Sequence, residues 1–104
     1  MDKMIVLPCG RKASKLTLEH GIMLFEPRER GKLVDAAFNT IPGNEKEKLV
    51  SWMRMNGNGM AEKYYLFLLA VAGAASQRGE VSRERMLEVF QDIERGKTIL
   101  GVLF

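Results

Sequence analysis

Nucleophilic catalysis needs a Cys or Ser beside a His, with a third group to orient the base. The chain holds one cysteine, Cys9, and one histidine, His20, so a single Cys/His pair exists. Neither is flanked by a nucleophile elbow or an oxyanion loop, and they read as a half-buried thiol and a turn histidine. Four Cys/His zinc ligands cannot be assembled from one of each. Gly96-Lys97-Thr98 ends as a P-loop ends, but position 91 is Gln where that motif needs Gly, and a helical pattern precedes it. It reads as a helix stop. Gly57 and Gly59 lack the third glycine and the preceding strand of a dinucleotide fingerprint. Aligning Gly79 to the sixth position of a calcium loop puts Ala74, Ser76, Arg78 and Arg85 where oxygen ligands belong, so calcium is excluded. The carboxylate pairs Glu45/Glu47 and Glu80/Glu84 have basic neighbours and read as caps or surface pairs. The residue inventory therefore predicts no enzyme, no metal and no cofactor.

Binding chemistry is better represented. Arg78, Arg83 and Arg85 surround Ser82, where a helix is expected to begin. Helix N-termini favour acids, so three cations there break a local rule. A positive helix end ringed by arginine could hold a phosphate or carboxylate. The bland alternative is neutralisation by Glu80 and Glu84 in a solvated network. A second basic group, Arg11, Lys12 and Lys15, lies on a polar connector that suits contact with a phosphate backbone. A helix-turn-helix fits poorly, because Arg85 stands where the second helix should bury Val or Ile.

Protein contact is the competing reading. Seven methionines are many for 104 residues, and Met53, Met55 and Met60 cluster about Asn56-Gly57-Asn58-Gly59. Thioethers suit adaptable surfaces. Met53 is expected to fill the core, whereas Met55 and Met60 flank the turn. With the apolar tail, especially Val102, Leu103 and Phe104, they form a candidate interface for a partner or a second copy.

These groups need elements to carry them. Met4 to Leu7, stopped by Pro8, predicts a short strand, followed by a polar connector over 10–14. Leu16, Leu18, His20, Ile22 and Leu24 alternate with period two, which predicts strands near 15–19 and 22–25 about a His20-Gly21 turn. A helix over the same residues competes, weakened by Gly21 by roughly 1 kcal/mol relative to alanine. Pro27 suits a first helical position, and Leu33, Val34, Ala37, Phe38 and Ile41 make a stripe that predicts a helix over 27–41. Asn44 with Glu47 resembles a capping box opening a helix over 45–56, with Leu49, Val50, Trp52 and Met53 inward. A third helix, 60–76, is apolar nearly all round and should be central. Ser82 caps a fourth over 83–95, with Val81 stapling onto Met86, and Met86, Leu87, Phe90 and Ile93 on its buried face. The run from Thr98 to Phe104 is expected to form a last strand beside residues 4–7, or else to cover another chain.

The fold class expected is therefore α+β, dominated by about four helices, in one compact domain of residues 1–104. Hydrophobic residues are 46% and charged residues 28%, ordinary for a globular chain. A lone cysteine and an apolar N-terminal run of only four residues point to the cytoplasm. The longest apolar stretch, twelve residues from Tyr64 to Ala75, is short of the roughly 20 that span a bilayer, so no membrane role is expected. The net charge of +3 arises from 16 bases interleaved with 13 acids, which permits nucleic acid without requiring it. The function expected is that of a non-enzymatic regulatory or adaptor protein binding a protein or its own copy. The alternative is a DNA- or RNA-binding regulator.

Overall fold

The structure, a computed structural model, describes residues 3–7, 12–56 and 63–95. Among these, strands β1 (Met4–Val6) and β2 (Lys12–Ser14) are followed by helices α1 (Lys15–Ile22), α2 (Pro27–Thr40), α3 (Gly43–Asn56), α4 (Lys63–Gln77) and α5 (Arg83–Glu94). The fold is α+β and mainly helical. No helix among the described residues is long and apolar enough to cross a membrane.

The helix that is apolar on all sides takes the centre. Residues 66–75 of α4 are all buried, and α4 touches α1, α2, α3 and α5. Each neighbour contributes a stripe at helical spacing: Val34 and Ala37 from α2, Leu49 and Met53 from α3, Met86, Val89, Phe90 and Ile93 from α5. Phe67, in the second turn of α4, meets Phe38 edge-on at 5.4 Å between ring centroids and Phe90 at 6.3 Å. Phe90 lies late in α5, so α4 and α5 run antiparallel, as their short link requires.

The helix ends obey local chemistry. Pro27 opens α2, and the Glu26 N–H donates to Glu29 Oε1 at 3.4 Å. Ser82 Oγ accepts from the Arg85 N–H at 3.2 Å and caps α5 as expected. Helix α3 begins earlier than Asn44 and Glu47 indicate. The Lys46 N–H donates to the Pro42 carbonyl at 2.8 Å, so Asn44 is already helical and Glu45 is the first-turn acid.

The hairpin expected over 15–25 is not formed. Ser14 Oγ accepts from the Thr17 N–H at 3.4 Å and starts α1 instead. The buried residues are Leu18, Gly21, Ile22 and then Phe25, a helical spacing, while Leu16 is 66% exposed despite its place in the alternation. Gly21, which weakened the helix reading, is where α1 is crossed. A Cβ there would stand 2.7 Å from Val81 Cγ1 and 3.4 Å from both Ala72 Cβ and Met86 Sδ. Close packing with α4 and α5 offsets the poor propensity of glycine.

The stretch read as a connector supplies the second strand. β1 and β2 pair antiparallel, with Met4 opposite Ser14, Ile5 opposite Ala13 and Val6 opposite Lys12. Ile5 and Ala13 turn toward the core, and Leu7 is buried against α4 at Gly73. The strand expected over 98–104 lies outside the described residues, as does the start expected for α4 at residue 60.

Candidate functional site

Two of the three arginines around Ser82, Arg78 and Arg83, are held in ion pairs. Arg78 Nη2 donates to Asp92 Oδ2 at 2.5 Å, and Asp92, late in α5, is buried. Arg83 pairs with Glu29 through both terminal nitrogens, donates to the Leu24 carbonyl at 3.3 Å, and lies 4.7 Å over the Phe25 ring. Its hydrogen bond holds the Glu29 carboxyl below the usual carboxylate range. Arg85 lies against Gly79, whose φ of +134° only glycine adopts with ease; a Cβ there would stand 3.1 Å from Arg85 Nη2. The acids that meet Arg78 and Arg83 are Asp92 and Glu29, remote in sequence, rather than the adjacent Glu80 and Glu84. Arg83 thus fastens the start of α5 to the α1–α2 turn. Arg30, absent from the sequence reading, completes that corner: its Nε donates to the Ile22 and Phe25 carbonyls at 3.1 and 2.9 Å, closing the C-terminal end of α1.

A second location gathers apolar surface and charge. A groove of about 440 Å3 lies between β1 and the first half of α4, lined by Lys3, Met4, Ile5, Val6, Lys15, Tyr65, Leu66 and Leu69. Met4 is 51% exposed and Val6 46% exposed. Lys12 is exposed across from Val6, and Lys15 stands 3.6 Å from Glu19 Oε1, which also accepts from the Tyr65 hydroxyl. Trp52 of α3 meets the end of β1, its Nε1–H donating to the Val6 carbonyl at 3.2 Å. Of the basic group expected on the connector, Lys12 and Lys15 come to this strand pair; Arg11 lies outside the described residues. Lys3 and Tyr65 were not singled out by sequence, and Trp52 was read only as part of the inward face of its helix. The Trp52 and Tyr65 contacts join chain segments 46 residues apart.

The other expected interface residues divide similarly. Met55 is 85% exposed near the end of α3, while Met60, Val102, Leu103 and Phe104 lie outside the described residues. His20 is exposed on α1, and Cys9 lies outside the described residues. No group of three or more His, Cys, Asp or Glu is placed to hold a metal among the described residues. No protein-family model, curated protein or solved structure matches the chain.

Proposed function

We propose that the protein acts by macromolecular contact, binding another protein or its own copy, with no reaction centre of its own. It serves as a small regulatory or adaptor protein of the cytoplasm. The observation that carries this reading is the contrast between the two candidate surfaces. Arg78 and Arg83 are already committed to ion pairs within the chain, whereas Met4 and Val6 leave large apolar area in water at the β1–α4 groove and Leu16 does so at the start of α1. Exposed apolar area grouped about a concave, charged rim suits a polypeptide partner.

Contact with DNA or RNA is the rival reading, supported by the lysines of the strand pair and by the net charge of +3. The two part cleanly in one experiment. Capture from a native lysate is run with and without nuclease, comparing the natural chain with Leu16→Glu and with the exposed Lys12 reversed to Glu. Contact with protein predicts capture that survives nuclease and is lost in Leu16→Glu. Capture that nuclease abolishes, with binding that falls steeply as salt rises, establishes the nucleic-acid reading instead.

A further inference from the structure

Antiparallel ladders alternate residues whose backbone groups point toward the partner strand with residues whose groups point away. The Lys15 N–H donates to the Lys3 carbonyl at 2.8 Å, so Lys3/Lys15 is a hydrogen-bonded pair. The register then makes Met4/Ser14 and Val6/Lys12 non-bonded pairs and Ile5/Ala13 a bonded one. The N–H and C=O of Met4 and the N–H of Val6 consequently point off the outer edge of β1. The Val6 carbonyl does so visibly, since Trp52 meets it there. The Met4 groups take no backbone partner among the described residues.

Charge gives a second, independent observation. Lys3 and Lys15 oppose each other directly across the ladder and both line the groove. Like charges in that position are destabilising. Among the described residues, Glu19 is the acid that meets this pair, at 3.6 Å from Lys15. An outward strand edge above an apolar floor of Leu66 and Leu69, with two lysines at one end, therefore suits an occupant with three properties. It must offer alternating N–H and C=O groups, apolar side chains at every second position, and negative charge at one end. The first requirement selects a polypeptide over a nucleic acid.

We propose that the outer edge of β1 receives an extended, apolar segment of a partner protein, flanked by Asp or Glu, which adds to β1 as a new strand and seats its acidic end on Lys3 and Lys15. This rests on the protein-contact reading above and names the chemistry of the partner.

The probe is a synthetic peptide of about six residues, the common strand length, with Val or Ile at alternate positions and Asp and Glu at one end. Binding is read by amide-resolved NMR and hydrogen exchange on the full chain. In the peptide-free protein the Met4 and Val6 amides exchange fast while the Ile5 amide is protected. Peptide addition slows Met4 and Val6. Lys3→Glu with Lys15→Glu weakens binding about tenfold, and N-methylation of alternate peptide nitrogens abolishes it. Lys15→Glu faces Glu19 one turn on, a like-charge repulsion that the favourable placement of an acid in the first turn of α1 offsets. Met4→Pro removes the outward N–H, together with the Met4 side chain at the groove, and also weakens binding, while the inward ladder bonds of Lys3 and Ile5 are kept. Slow exchange at Met4 and Val6 before peptide is added overturns the proposal: if independent of concentration, the chain covers its own edge, and if it grows with concentration, a second copy does. Equal binding of a peptide with Lys in place of its acids also overturns it. Nuclease-resistant capture from lysate alongside peptide failure retires this edge while leaving the broader reading standing.

Discussion

At the scale of single residues, Gly73 carries more of the architecture than its size indicates. A Cβ on Gly73 would stand 2.6 and 2.9 Å from the two methyl carbons of Leu7, which anchors the end of β1 in the core. Gly73→Ala should cost about 1–3 kcal/mol through overpacking, measured by urea unfolding. In a Leu7→Ala background the obstruction is gone, so Gly73→Ala should become stabilising by up to about 1 kcal/mol, the helix propensity gain. Persistence of the same sign in both backgrounds would show that Leu7 does not rest on Gly73. Arg83 and Glu29 give a pH signature. Because Glu29 titrates below the ordinary carboxylate range, its contribution is fully present above the unfolded carboxyl pKa and is lost as pH falls through the folded value. Carboxyl-resolved NMR should show the Glu29 pKa rising toward the ordinary value in Arg83→Ala. None of this is readable from neighbouring residues, because Glu29 and Arg83 are 54 positions apart.

At the scale of elements, the helix caps were legible where the capping group is local. Ser82 sits before a strongly amphipathic run, and its hydroxyl meets the Arg85 N–H as the pattern predicts. Ser82→Ala should therefore cost about 1 kcal/mol in thermal or urea unfolding. The period-two reading of 15–25 failed for a physical reason. Alternation and a helical stripe share Leu18 and Ile22, and the tie is broken by Val81 and Met86 arriving from 60 or more residues away to fill the space over Gly21. Trp52 belongs to this scale as well, because it ties α3 to the end of β1. Trp52→Phe keeps the aromatic bulk and deletes the donor to the Val6 carbonyl. A loss of about 0.5–1.5 kcal/mol is expected, with faster amide exchange in β1 than in α2.

At the scale of the whole molecule, stability and binding should separate. The Arg78–Asp92 pair joins the end of α4 to the last turn of α5 and buries most of the Asp92 carboxylate. Removing the cation with Arg78→Ala should cost about 1–3 kcal/mol, read by denaturant unfolding. Met55→Lys, by contrast, alters a side chain that lies 85% in solvent and should change stability by no more than about 0.5 kcal/mol. Any loss of partner capture in that variant would then report contact and not unfolding.

The amino-acid sequence by itself determined the mainly helical α+β class, the central place of the all-apolar helix, and the inward stripes of α2, α3 and α5. Those features follow from residue periodicity and capping, which act within a few positions along the chain. Tertiary structure alone decided the helical state of 15–22, the pairing of residues 4–6 with 12–14, the fate of the three arginines and the groove at β1. Each of these depends on groups distant in sequence, and a guanidinium or a short ambiguous segment takes its role from whatever neighbours the fold delivers to it.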